Sequence, residues 1–283
     1  MIGILMLQTP ASFIPLNVPQ LDDHPLSFIF RGPELLIRES DFSLPDATVC
    51  AALGIELARI HPVGLFGDRY CRAAWVDQET LPSPGFVFKN LRALFGAMDE
   101  QLVSVAGRAF QIADWARTHR YCGACAAAMT PVPGERCFKC PRCALMTYPR
   151  ISPAMMVLIK KGDAILLARH TASLTHRFSP LAGFLEAGGS IEEAVHREVF
   201  EEVGLKINKL RYFGSQSWPF PHSLMIAFTA DYVSGEISVD QNEIAEARWF
   251  GPGDRLPDYT VGVSISGELI NAHLPAKRLD QPD

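Results

Sequence analysis

The stretch Leu181–Leu205, LAGFLEAGGSIEEAVHREVFEEVGL, constrains this chain more than any other. A glycine-rich loop, Gly183 to Gly189, runs into a segment with helical markers. Ser190 with Glu193 three residues on is a capping-box pattern, so the spacing predicts a helix that starts there and ends at Gly204. Val195, Val199 and Val203 repeat at four and predict a buried stripe. Glu198, Glu201 and Glu202 fall at spacings of three and four, which puts three carboxylates on one side of the helix. Such a group repels itself unless a cation sits among it, and Arg197 alone cannot neutralise it. A hard divalent ion such as Mg²⁺ takes oxygen ligands of this kind. A solvated acidic face is the ordinary alternative.

The order of residues from Arg197 through Glu198, Glu201, Glu202 and Gly204 to Leu205 resembles the second half of the Nudix box, Arg-Glu-apolar-x-Glu-Glu-x-Gly-apolar. Gly183 stands fourteen residues before Arg197, where that box has its first glycine. On these residues the chain is identified as a member of the Nudix hydrolase family. One position departs: the box has a glutamate six residues after its first glycine, and here that residue is Gly189. In the family this glutamate mainly braces the arginine, while later glutamates hold the metal. The resemblance therefore implies intact metal ligands with an altered surround. Glu193, four residues before Arg197, is the expected substitute partner. The alternative is that position 189 takes a backbone turn only glycine permits.

At 283 residues the chain has room for two domains and a small third module, and 48% hydrophobic residues allow a sizeable core. The formal net charge is −5 and no long basic run occurs, so no strong nucleic-acid patch is expected. Met1–Leu7 is apolar but short, with no Lys or Arg before it, and does not read as a signal peptide. No stretch approaches the ~20 apolar residues of a membrane span. Five of the seven cysteines lie between Cys122 and Cys143, which points to metal binding in a reducing cytoplasm rather than to disulfides.

Three domains are expected: an N-terminal mixed α+β domain over 1–118, a zinc ribbon over 119–147, and a catalytic domain over 148–283. Ser27–Phe30, Leu35–Ile37 and Arg72–Val76 read as short strands, and Leu81–Gly85 as a break. Apolar residues from Leu91 to Trp115 follow helical spacing and predict two helices. Cys122 with Cys125, and Cys140 with Cys143, form two Cys-x-x-Cys knuckles, the ligand set of a closed structural Zn²⁺ site. Cys137 and Cys140 make a competing pair; Cys137 is read as a nearby free thiol. Arg136, Lys139 and Arg142 form a weak basic patch that is equally well read as solvated surface. Beyond the ribbon, Ala154–Ile159 and Ala164–Ala168 predict a hairpin. Further strands are expected at Arg211–Ser215, Leu224–Ala230, Glu236–Val239 and Ala247–Phe250, and a last helix from Ser264 to His273. Strands with a helix in the middle and one at the end suit a sheet between helices. The Nudix resemblance implies the same α/β/α sandwich with a mixed sheet.

About ten residues past the box lies Ser215–Ser223, SQSWPFPHS. Trp218 and Phe220 alternate with Pro219 and Pro221, which presents flat aromatic faces with little freedom, and such faces bind planar rings at low entropic cost. Gln216 and Ser223 add polar contacts at each end. A proline-rich turn whose aromatics cover core is the plain alternative. The array resembles Ser-Gln-Pro-Trp-Pro-Phe-Pro-x-Ser of the NADH pyrophosphatase branch, with Ser217 in place of proline. That branch also carries a four-cysteine ribbon before its catalytic domain, so the resemblance covers roughly residues 90 to 283, and the first ninety match loosely.

The branch resemblance implies site residues. Glu198 and Glu202 match ligands of Mg²⁺ or Mn²⁺, with Glu201 beside them. Glu243 matches the glutamate that completes the metal site from outside the box, and Ala182 the residue lending it a backbone carbonyl. Arg92, Glu135, Tyr148 and Phe184 match positions near the substrate. So do Gln216, Ser217, Trp218, Pro219, Phe220, Pro221, His222 and Ser223 of the array. Ser266 stands where the branch usually has alanine. The activity implied is metal-dependent cleavage of the pyrophosphate of NADH or NAD into NMNH or NMN and AMP, with Glu201 or Glu202 deprotonating the water. NAD-cap removal from RNA breaks the same bond, and a homodimer is implied. A competing class, motivated by Gly189 and Ser217, is a Nudix fold that binds nucleotides with little or no hydrolysis. A third takes the ribbon as an RNA-binding module, for which the sequence offers no aromatic-basic platform outside the array.

Overall fold

The computed structural model describes residues 8–173, 175–259 and 264–275. The reading of Met1–Leu7 lies outside the described residues. The described residues form two compact units: residues 8–151 together with Trp218–His222, and those of 152–217 with 223–275.

In the first unit, β1 (Phe13–Pro15), β2 (Leu26–Arg31), β3 (Glu34–Arg38), β4 (Ile60–Phe66), β5 (Arg69–Trp75) and β6 (Phe86–Asn90) form one mixed sheet in the order β1-β4-β5-β2-β3-β6. Strand β2 runs parallel to β5 and antiparallel to β3. Its residues are buried on both faces, which is why it reads as a continuous apolar run. Ile29 joins Leu36, Ala74 and Phe88 in a core that helix α1 (Ala47–Ala52) covers with Cys50. Phe30 points the other way and meets Phe110 of helix α2 (Glu100–Thr118) edge-on at 5.3 Å. Asp99 caps α2 by accepting from the Leu102 N–H. The segment before it, expected as a first helix, is a short 3₁₀ turn at Leu91–Leu94, and Gly96 follows it with φ +78°. A glycine there ends a helical run more readily than apolar spacing extends it. The ribbon follows α2 in the same unit, with β7 (Thr130–Pro131), β8 (Phe138–Lys139) and β9 (Met146–Thr147) in antiparallel order.

The second unit holds a mixed sheet of β10 (Ser152–Lys161), β11 (Ala164–His170), β12 (Leu181–Phe184), β13 (Lys206–Trp218), β14 (Ser223–Ser234) and β15 (Ile244–Phe250). Its order is β13-β14-β10-β11-β15, with β12 also on β10; β10 and β14 are parallel. Side chains alternate across β10. Met155, Val157 and Ile159 pack with Val195, Val199 and Val203 of helix α3 (Ile191–Val203). Met156 and Leu158 pack with Ile265, Leu269 and Ile270 of helix α4 (Ile265–Asn271). Helices therefore cover both faces, as the sandwich reading expects. Each fully buried valine contributes about 1.5–3 kcal/mol of apolar burial, so the stripe fixes which side of α3 faces the other way. The Glu236–Val239 run is not a strand: residues 235–242 are turn and irregular backbone.

Candidate active site and metal centre

Helix α3 begins with a complete capping box. The Ser190 hydroxyl accepts from the Glu193 N–H, and the Glu193 carboxylate accepts from the Ser190 N–H at 2.7 Å. Gly204 closes the helix in the left-handed region at φ +71°. With the valines turned inward, Glu198, Glu201 and Glu202 line a cavity of about 590 Å³ together with Ala182 and Phe184 of β12, Glu243 just before β15, and Arg197. His170, Glu186 and Asp240 line it as well. No sequence pattern singled out these three, although Glu186 lies in the glycine-rich loop and Asp240 three residues before Glu243; His170 ends β11.

The carboxylates differ. Glu201 is exposed. Glu202 is 2% exposed, and its Oε2 has no hydrogen-bond partner. Burial first, and then the charges of Glu198, Glu243 and Glu201, push its carboxyl up to about 8. Burial likewise raises Glu198, and the adjacent Arg197 guanidinium opposes that rise. A buried, unpartnered carboxyl beside three others needs either a proton or a cation, so the donor set fits a hard divalent metal. Gly183 is shaped to the same end, since a Cβ there would collide with the Glu198 carboxyl.

Arg197 pairs with Glu201 and Glu198, each at 2.8 Å, and approaches Glu186 at 3.9 Å. Glu193, the expected partner, is instead held by Ser190 in the capping box. Gly189 does not need to be glycine: its φ is not in the left-handed region, and a Cβ would meet only the Glu186 carbonyl oxygen at 3.7 Å. The strained position is its neighbour Gly188, at φ +92°.

The aromatic array is counted with the first unit. Trp218 and Phe220 meet edge-on at 5.1 Å, and both contact Phe95, at 6.0 and 5.5 Å. The Arg92 guanidinium lies 4.7 Å from the Phe220 centroid and 5.6 Å from that of Trp218. Arg92 is thus brought together with the array, while the two rings, half-buried, are partly spent on each other and on Phe95. That corrects the picture of two freely presented faces: the prolines fix the turn, and Phe95 takes up part of the aromatic surface. Pro219 and Ser223 are buried; Ser217 and Pro221 are exposed, and His222 is half-buried. Gln216 is 4% exposed, and its side-chain oxygen accepts from the Ile265 N–H at 2.8 Å. That contact serves the start of α4. Ser266 lies half-buried in the first turn of the same helix. Glu135 and Tyr148 are exposed in the first unit, and Phe184 is exposed in the second.

The four cysteines Cys122, Cys125, Cys140 and Cys143 have their sulfurs all within 4.8 Å of one another. Neighbouring sulfurs stand 3.4 to 3.7 Å apart. A tetrahedron with ~2.3 Å metal–sulfur arms has edges of about 3.8 Å, so the set fits Zn²⁺. The two knuckles repeat one turn: the N–H groups of Ala126 and Ala144 donate to the carbonyls of Cys122 and Cys140, with φ of 58° and 62° at the alanines. Backbone N–H groups, that of Cys143 foremost, aim at the Cys140 sulfur and favour its thiolate, the form a metal binds. Cys137 is buried outside the set, as expected of a free thiol.

Arg136 is not part of a surface patch. Its guanidinium donates to the carbonyls of Leu16 and Pro62, both at 2.6 Å, and burial lowers it to about 10. The basic-patch reading is corrected: Arg136 ties the ribbon to the backbone around β4.

Residues 149–262 match the NUDIX domain family, residues 26–115 the NADH pyrophosphatase-like rudimentary NUDIX domain, and residues 117–148 the NADH pyrophosphatase zinc ribbon domain. The chain is 47% identical over 255 residues to a Pseudomonas fluorescens (strain Pf0-1) protein named NAD-capped RNA hydrolase NudC, covering 90% of this chain and 88% of that one. It is 40% identical over 255 residues to a Pseudomonas syringae pv. tomato protein of the same name, covering 90% of this chain and 91% of that one.

Proposed function

The chain belongs to the Nudix hydrolase family, in its NADH pyrophosphatase branch, and we propose that it hydrolyses the pyrophosphate bond of NADH or NAD, giving NMNH or NMN and AMP. The 5′ NAD cap of RNA contains the same bond and is read as a second substrate, as the names of its relatives suggest. What carries the reading is Glu202: a buried carboxyl without a protein partner, grouped with Glu198, Glu201 and Glu243.

The cofactors are Mg²⁺ or Mn²⁺ for the reaction and a structural Zn²⁺ in the ribbon. Glu198, Glu202 and Glu243, with the Ala182 carbonyl, would hold the reaction metal. Bound there, it would neutralise phosphate oxygens and make a bound water more acidic. Glu202 or Glu201 takes the proton from the attacking water. The water oxygen bonds to one phosphorus as the bridging P–O bond breaks, and the bridging oxygen leaves with the other nucleotide. Arg197 holds Glu198 and Glu201 in place from the side. Trp218, Phe220 and Arg92 are assigned to the nucleoside ring. Glu135, Tyr148, Phe184 and Ser266 are kept as further substrate positions. The working unit is read as a homodimer, which sedimentation of the pure protein tests.

Among the described residues no helix is long and apolar enough to cross a membrane. Incubation of the pure protein with NADH and Mg²⁺ or Mn²⁺, followed by separation of the products, tests the reading. NMNH and AMP in equal amounts are expected; intact NADH under both metals overturns it.

A further inference from the structure

Glu243 is the one carboxylate of the proposed metal set that does not come from α3. It is exposed, and among the described residues no hydrogen bond or ion pair holds its carboxylate. Its charge acts on both Glu198 and Glu202. Like charges drive an unheld carboxylate away from its neighbours, out toward solvent. The direction of Glu243 is therefore set by the backbone that carries it.

That backbone is a tight turn, residues 240–243, held from within and from both sides. Inside it, the Glu243 and Ile244 N–H groups donate to the Asp240 carbonyl at 3.1 and 2.7 Å. The Asp240 carboxylate accepts from the N–H and the side-chain amide of Asn242 at 2.9 and 2.8 Å. On one side the Glu202 carbonyl accepts from the Asp240 N–H at 3.0 Å. The turn is thus tied to the residue whose carboxyl shares the cavity with Glu243.

On the other side stands Thr171, the residue after β11. The β11–β15 register shifts between Arg169 and His170: Arg169 pairs with Glu246 and His170 with Ile244, so Ala245 has no opposite residue. Thr171 then meets Glu243. Its N–H donates to the Glu243 carbonyl at 2.8 Å. Its hydroxyl donates to the Asn242 carbonyl at 2.9 Å and lies 3.2 Å from that of Glu243. A hydroxyl has one hydrogen, which these two carbonyls share. No other side chain outside the turn donates to it among the described residues.

We propose that Thr171 is a positioning residue for the divalent metal: its hydroxyl fixes the turn at 240–243 so that the Glu243 carboxylate is presented beside Glu198 and Glu202. The inference rests on the metal role given to Glu243 above. Mn²⁺ binding to the zinc-loaded full chain without substrate, read by electron paramagnetic resonance of the free ion, tests it. Thr171→Val keeps the shape and the N–H and removes the hydroxyl; it should weaken Mn²⁺ about three- to tenfold, the scale of one hydrogen bond. Thr171→Ser, which keeps the hydroxyl, should restore binding to within about twofold of the parent. In NADH turnover the Mn²⁺ concentration for half-maximal rate should rise in Thr171→Val by more than kcat falls. Thr130→Val loses a comparable hydroxyl bond, to the Lys139 carbonyl at 3.1 Å in the ribbon, and should bind Mn²⁺ as the parent does. Should Thr171→Val fail to fold, Thr171→Ala gives the same comparison. Glu243→Gln separates the two ideas. Parent-like Mn²⁺ affinity in Thr171→Val beside a weakened Glu243→Gln overturns the positioning role and leaves the metal reading standing. Parent-like affinity in both overturns the metal role of Glu243 and this inference with it. Equal weakening in Thr171→Val and Thr171→Ser overturns the inference as well, since the hydroxyl would then not be what acts.

Discussion

Gly107 of α2 lies directly beneath Pro219 of the aromatic array, so closely that a Cβ at residue 107 would stand 2.9 Å from the proline Cγ. The close approach seats the array on α2 next to Phe95 and Arg92. A glycine inside a helix costs ~0.5–1 kcal/mol relative to alanine, so the contact offsets a local penalty.

Gly107→Val is therefore expected to push Pro219 outward and disturb the Trp218–Phe220 pair without touching the carboxylates. KM for NADH should rise about tenfold, with kcat changed much less, because ring binding and not the chemical step is affected. Steady-state kinetics read this split directly. A fall in kcat at constant KM would mean that the array does not bind the ring.

Gly189→Glu should fold normally, since position 189 has an ordinary φ and an open flank. Its carboxylate would compete for Arg197 and release Glu198 from that pair. The Mg²⁺ concentration for half-maximal activity should then fall several-fold, and an unchanged or higher requirement would sink the bracing argument. Gly188→Ala is the contrasting case: at φ +92° it should cost ~1–2 kcal/mol in urea unfolding.

Acid should destabilise the fold through His61. Its folded pKa, about 4, lies below the model-peptide value of 6.5 because burial disfavours the charged ring. As pH falls from 6.5 to 4 the unfolded chain takes a proton that the native state refuses, so stability present above 6.5 is lost across that window. One pKa unit is about 1.4 kcal/mol, so the loss is at most about 3.5 kcal/mol. His61→Phe should lose correspondingly less stability between pH 7 and pH 4. Parallel unfolding curves for the two proteins would contradict this.

Metal analysis separates the cysteines. Cys143→Ser should lose its zinc and unfold more readily, because ribbon folding and metal binding are coupled. Cys137→Ser should keep one zinc per chain; the reverse pattern would reassign the ligands.

The parts of this molecule set by short spacings were legible in the sequence. The capping box, the Val195–Val199–Val203 stripe and the paired knuckles each depend on residues three or four apart, and the structure forms them as read. Partners chosen across distance were not legible. Glu193 was expected on Arg197, but the cap turns its carboxylate toward Ser190, and Arg197 pairs with Glu198 and Glu201 instead. Arg136 looked like surface charge, since nothing local reveals that the carbonyls of Leu16 and Pro62 will face it. Gln216 was read from its contiguous motif, which reveals nothing of Ile265, 49 residues away, whose N–H its side-chain oxygen accepts. Phe95 read as helical core by its spacing, and its role as the seat of Trp218 and Phe220 depends on where the later loop lands.

The central claim is that the buried, unpartnered Glu202 is part of the hydrolytic apparatus, and NADH turnover by Glu202→Gln at saturating Mg²⁺ tests it most directly. The substitution keeps shape and removes the charge. Turnover should fall about 100-fold or more, the scale of a lost general base or ligand, while the circular dichroism spectrum and zinc content match the parent. Turnover equal to the parent's would contradict the account, because hydrolysis would then not depend on Glu202.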